Sequence, residues 1–167
     1  MNNVMQFDFV ADKEKNTITV KREFAAKRQL VWDCHTKSEL LDKWFAPKPF
    51  TTKTKSMQFK DGGHWLYAMV DPDGKEYWGR VEYIKINPID GYKSSDAFAD
   101  ENGDVNPNLP TATWDVTFTE KGDHTVVQTI VKYPSLEGLE TVLNMGMQEG
   151  LASTLEKLDE LLLTFAK

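Results

Sequence analysis

Two hydrophobic periods divide the chain. Ile18, Val20 and Phe24 share one parity, so Thr17–Phe24 is expected as a strand with one apolar face. Val4–Val10, with Phe7 and Phe9 on one parity, reads as a first strand before it. From about Phe50 to Tyr133 the period is two again, over Thr51–Phe59, Gly63–Val70, Glu76–Ile86, Tyr92–Phe98, Thr111–Thr119 and Thr125–Tyr133. Turn residues punctuate these segments: Asp61-Gly62-Gly63, Asp71-Pro72-Asp73-Gly74, Asn87-Pro88, Asn102-Gly103-Asp104 and Lys121-Gly122-Asp123. Successive strands joined by tight turns make an antiparallel meander.

The pattern lengthens to a helical period in two places. Leu30, Val31, Trp32 and Cys34 crowd a short segment from Lys27 to His35, and Leu40, Leu41, Trp44 and Phe45 form a second stripe that Ser38 is placed to cap and Pro47 and Pro49 to end. The longest helical signal is at the C-terminal end. There Leu139, Leu143, Met147, Leu151, Thr154, Leu155, Leu158, Leu162 and Phe165 recur at three- and four-residue steps, with Glu149, Glu156, Lys157, Asp159 and Glu160 on the other side. Ser135 is placed to cap its start. Gly146 and Gly150 interrupt it four residues apart, hence on one face, where they permit close approach to a sheet or leave room for a bound molecule.

Strands in one run and helices segregated from them describe an α+β fold. The expected architecture is a curved antiparallel sheet of about six to seven strands, two short helices plugging one end, and one long C-terminal helix across the concave face. One domain over residues 1–167 accounts for the length. The formal charge of −6 argues against nucleic acid, which attracts basic surfaces. Cys34 is the sole cysteine, which suits a reducing compartment. The Met1–Asp8 segment lacks the basic and apolar regions of a leader, and no run of about 18 apolar residues offers a membrane span. The expectation is a cytoplasmic protein, monomeric or homodimeric.

Four phrases in order resemble the START-like (SRPBCC, helix-grip) superfamily, and within it the group related to the activator of the heat-shock-protein-90 ATPase. They are Ile18–Trp32, Ser38–Pro47 ending in Trp44-Phe45-Ala46-Pro47, Phe59–Trp65 with Gly62-Gly63-His64-Trp65, and Gly146–Leu158. Ala26-Lys27 stands where the family usually has Ala-Pro. The resemblance implies a helix-grip fold and a place among lipid carriers, hormone receptors, aromatases and cyclases, and chaperone stimulators.

The residues then suggest where chemistry would sit. Trp44, Phe45, Trp65, Tyr67, Met69, Trp78, Tyr83, Trp114, Met147, Leu151 and Leu155 are the set that would line a ligand cavity or fill a core between sheet and helix. Arg22 falls on the apolar parity of its strand and needs a carboxylate, which Glu82 or Asp115 would supply; Arg22 and Glu82 are therefore the candidate polar anchors, or a structural ion pair. His35, His64 and His124 show no metal-ligand spacing, and Cys34 no base placed to activate it, so neither a metal nor a cofactor is expected. The acidic stretch Ser94–Pro110 reads as a solvated hairpin or a mobile rim. Three functions follow: noncatalytic binding of a small hydrophobic or amphipathic molecule, which ranks first; a protein-interaction module acting on a heat-shock-protein-90-type chaperone; and a cyclase or aromatase using Arg22, Tyr67, Tyr83 and Glu82.

Overall fold

The computed structural model describes residues 6–165. The expected strand at Val4 and Met5 lies outside them. Among the described residues eight strands form one antiparallel sheet, rather than six to seven. Strands β1 (Phe7–Asp12) and β2 (Thr17–Phe24) form a hairpin, followed by helices α1 (Arg28–Thr36) and α2 (Ser38–Leu41). A meander then runs through β3 (Thr51–Met57), β4 (His64–Val70), β5 (Glu76–Asn87), β6 (Gly91–Ala99), β7 (Ala112–Lys121) and β8 (His124–Lys132). Spatial order is β1-β2-β8-β7-β6-β5-β4-β3: β8 returns to β2, and β1 and β3 remain as free edges.

Local chemistry sets the turns. In the first hairpin Asp12 Oδ1 accepts from the Glu14 and Lys15 amides, and Asn16 takes a φ of 58°, a conformation that asparagine tolerates. Gly122-Asp123 closes a two-residue loop between the paired Lys121 and His124. Register shifts between Thr54 and Ser56 and between Tyr83 and Lys85 bend β3 and β5, and such bulges raise the local twist and curvature.

The two short helices lie at one end of the concave face. Ser38 is the first residue of α2 rather than its cap: Lys37, in extended conformation, joins α1 directly to α2 and no side chain caps the turn. Trp32 meets Phe59, Tyr92 and Phe118 edge-on at centroid distances of 5.7, 6.1 and 5.1 Å. Val31, Cys34 and Leu41 are buried with it, so this end is filled.

The C-terminal helix is two helices. Ser135 caps α3 (Leu136–Asn144) by accepting from the Gly138 amide at 3.1 Å. The chain then turns at Gly146, whose φ is 86°, and α4 (Met147–Phe165) runs across the sheet. A single helix from Ser135 was expected because its apolar steps continue through the break. The left-handed backbone at Gly146 shows that this glycine ends one helix and starts another. Thr154, Leu155, Leu158 and Leu162 are buried as the stripe requires, whereas Phe165 is 44% exposed at the helix end. Among the described residues no helix is long and apolar enough to cross a membrane.

Candidate functional site

The concave face is not filled along its whole length. Between β4–β8, the α2 region and the first turns of α4 lies a cavity of about 420 Å3. All eleven residues of the expected aromatic and apolar set touch it. Trp65 and Tyr67, two apart on β4, stack at 4.1 Å and 22°, and Phe45 stands edge-on to both at 4.9 and 5.5 Å. The Trp65 indole is held by Thr54 Oγ1 at 2.9 Å, which in turn donates to Asp42 at 2.6 Å. Gly79, the cross-strand partner of Tyr67, makes room for the tyrosine: a Cβ at that position would lie 2.7 Å from both the ring tip and the hydroxyl. Trp78 is on the opposite parity to Gly79, and its indole carries the ammonium groups of Lys53 and Lys55 at 6.0 and 5.8 Å on the convex face. It therefore borders the cavity without pointing its ring into it, unlike the other tryptophans of the set.

Helix α4 closes the cavity with Met147, Gly150, Leu151, Thr154 and Leu155. Added to Gly150, a Cβ would meet Pro47 at 3.9 Å, an ordinary contact, so this glycine admits the loop before β3 without being compelled by it. That loop is fastened to α4 from Ser153 onward. Lys157 Nζ donates to the carbonyls of Ala46 and Phe50 at 2.9 and 3.0 Å, Ser153 Oγ accepts from the Lys48 amide at 3.0 Å, and Lys48 pairs with Glu160 at 3.0 Å. Exposed Met145 and Tyr77 mark the cavity rim.

The expected polar anchors lie elsewhere. Arg22 shares its face with Ile18 and Val20, as its parity implied, but its partner is Asp159 of α4, not Glu82 or Asp115. It also donates to the Glu23 carbonyl and sits 4.9 Å over the Phe24 ring, so its charge is consumed in joining β2 to α4. Glu82 is on the convex face, paired with Arg80 at 3.3 Å, and Asp115 is exposed. Neither Arg22 nor Glu82 lines the cavity.

The charged group that does line it is Asp96. On β6 it follows the parity of Tyr92 and Ser94 and precedes Phe98, all facing inward, and the same alternation that singled out Arg22 marks it. Asp96 and Ala112 are the last pair joining β6 to β7; beyond them the strands part beneath the 100–111 connection. A groove of about 430 Å3 on the convex face is lined by Arg80, Glu82, Ser95, Thr113 and Lys132 and shares Asp96, Ala97 and Tyr133 with the cavity. Burial raises the Asp96 carboxyl to about 6, although the Trp114 indole and the Ala112 backbone pull the other way. The Trp114 N–H is buried and makes no hydrogen bond of good geometry, so its pull on Asp96 is through proximity. Burial also raises the Tyr67 and Tyr133 hydroxyls, and the nearby Asp96 charge adds to it.

Among the described residues no lysine or arginine lines the cavity. Its one histidine, His35, lies edge-on between Trp44 and Phe118 with Nδ1 2.8 Å from the Val31 carbonyl. Burial lowers it to about 4, so it is neutral at physiological pH. Cys34 is buried, and burial followed by the Asp33 charge pushes its thiol up to about 11, which leaves it protonated and unreactive. His64 Nε2 is 2.8 Å from Ser56 Oγ, and His124 is bonded to Glu23 at 2.6 Å.

Solved structures share this arrangement. Protein Ms6760 from Mycobacterium smegmatis is 31% identical, with 95% of this chain and 97% of that one covered and a TM-score of 0.86. A protein from Arthrobacter aurescens is 26% identical over 94% and 91%, TM-score 0.89, and one from Staphylococcus epidermidis 27% identical over 93% and 94%, TM-score 0.82. No protein of curated function matches the chain. Residues 25–163 match the family described as Activator of Hsp90 ATPase homolog 1-like protein, a START-like group, and the chain belongs to that family.

Proposed function

We propose that this protein binds a small, largely apolar molecule in the concave cavity, without transforming it. The observation that carries the reading is the cavity itself: about 420 Å3 of space on a face whose other end is packed solid. A volume of this order lies within the roughly 300–1,000 Å3 of small-molecule sites. Its walls are aromatic and aliphatic, with few polar groups to orient a ligand. The binding residues of this reading are Trp44, Phe45, Trp65, Tyr67, Met69, Trp78, Tyr83, Trp114, Met147, Leu151 and Leu155, to which Asp96 is added. A nucleophile with an activating base is not among them.

Displacement of an environment-sensitive fluorescent probe by a panel of apolar compounds tests the reading. Wild-type protein should bind the probe, and Leu151→Trp, which fills the space beneath α4, should lose it at least tenfold while melting normally. Equal probe binding by the Leu151→Trp variant overturns the assignment. Family membership supports a second reading, stimulation of a heat-shock-protein-90-type ATPase. Saturating protein that leaves the host chaperone's turnover unchanged rejects it.

A further inference from the structure

We propose that the ligand of the concave cavity carries a protonated amine, seated on the Asp96 carboxylate among the rings of Tyr67, Trp114 and Tyr133. The inference rests on the binding reading above and names the chemical class of what is bound.

Charge makes the first part of the case. Among the described residues Asp96 is the only carboxylate lining the cavity, and no lysine or arginine lines it. His35 is neutral and its Nδ1 is engaged by the Val31 carbonyl. A fatty acid or other anionic ligand would therefore find a carboxylate and no cation. A half-buried carboxylate with no cation on the cavity side is a liability against apolar walls, and a cation from the ligand removes it. A neutral alcohol would satisfy the hydrogen bond and leave the charge uncompensated.

The surroundings make the second part. An ammonium group is stabilised by ring faces as well as by a carboxylate, and quaternary or protonated amines are bound in aromatic cages for that reason. Tyr67, Trp114 and Tyr133 line the cavity together with Asp96, Trp114 lying across from Ser94 on the neighbouring strand β7 and the Tyr133 hydroxyl donating to Met147 Sδ at 3.8 Å. The rest of the wall, from Phe45 and Trp65 to Leu151, is apolar, so the other end of the molecule is hydrocarbon or aromatic.

The pH dependence follows from the groups around Asp96. They are Tyr67 from β4, Tyr83 from β5, Trp114 from β7 and Tyr133 after β8, all uncharged at neutral pH. Towards the convex groove stand Arg80 and Glu82, paired with each other, and Lys132. The aspartate is thus the group that titrates between pH 5 and 8. An amine that stays protonated throughout this range requires the ionised carboxylate, so its affinity falls on acidification; an acid ligand behaves in the opposite sense.

Decylamine, decanol and decanoate have the same chain and three head groups, and their binding is read by calorimetry or probe displacement. At pH 8 the amine should bind at least tenfold tighter than the alcohol, and decanoate most weakly. From pH 8 to pH 5 the amine should weaken about tenfold, in line with a carboxyl titrating near 6. Asp96→Asn should abolish the amine preference, whereas Glu101→Gln, which removes one exposed charge from the 100–111 connection, should stay within twofold of wild type. Because the wild-type pH profile needs no variant, the inference is tested even if Asp96→Asn folds poorly. Decanoate equal to or tighter than decylamine, a flat amine profile, or an equal loss in Glu101→Gln overturns it. If all three probes bind alike, the cavity reading stands and the amine inference fails; if none binds, both fail.

Discussion

The two ends of the concave face are built from the same strands and the same kinds of residue, yet one is solid and the other hollow. At the α1 end Trp32 is 6% exposed and wedged against Phe59, Tyr92 and Phe118, with Val31 and Cys34 filling the space beside it. At the α4 end Trp65, Tyr67 and Trp114 are as large, but the covering helix presents Gly150, Leu151 and Thr154 across a gap. Aromatic content does not decide between core and cavity. What decides is the size and reach of the side chains on the covering element.

The largest expected effect tests that contrast directly. Trp32→Ala removes a ring with neighbours on every side and should cost about 3–5 kcal/mol in urea unfolding. Leu151→Ala, beside space that is already empty, should cost only about 1–2 kcal/mol. Equal losses would mean that the α4 end is as tightly packed as the α1 end.

Next in size is Asp96. Its folded-state carboxyl titrates near 6, above the unfolded value, so the folded protein holds a proton that the unfolded chain has released. Stability should therefore fall as pH rises from about 4 through about 6, since the unfolded state then binds fewer protons. Asp96→Asn should stabilise the ligand-free protein by about 1–3 kcal/mol at pH 8 and by little at pH 4. Chemical denaturation at the two pH values reads the difference; a variant less stable than wild type at pH 8 would show that the carboxylate is compensated.

The smallest effects distinguish the two glycines. Gly146→Ala forces a Cβ into left-handed backbone and should destabilise by about 1–2 kcal/mol. Gly150→Ala meets Pro47 at ordinary contact distance and should be neutral or stabilise by up to about 1 kcal/mol through helix propensity. Thermal melts that move the same way for both would contradict their different backbones.

Much of the sheet was legible because a period of two survives without knowledge of partners. Thr17–Phe24 and the six later strands follow the alternation to within a few residues. The helix break was not legible, because the apolar steps continue through Gly146 and a glycine at a helix end reads like one in its middle. Arg22 was correctly read as inward-facing, but its partner is 137 positions away on α4, a distance that only the packed fold closes. Trp78 borders the cavity as part of the expected set, but its size gave no hint that its parity turns the ring outward to Lys53 and Lys55. Asp96 was hidden in an acidic run that reads as solvent-facing, although the parity of Tyr92, Ser94 and Phe98 contained the signal.

The fastenings of α4 are unevenly spread. Ser153, Lys157, Asp159 and Glu160 tie the helix to the 46–50 loop and to β2, while Met147–Ala152 carry only the long contact of the Tyr133 hydroxyl to Met147 Sδ at 3.8 Å and start from a left-handed glycine. Mechanically this is a cantilever, clamped at its far end and free over the hollow. Amide exchange should accordingly be fastest at Gln148–Leu151 and slowest at Leu158–Leu162, with a steep gradient between. A guest could then reach the interior by lifting two turns of one helix, leaving the sheet and the clamped half undisturbed.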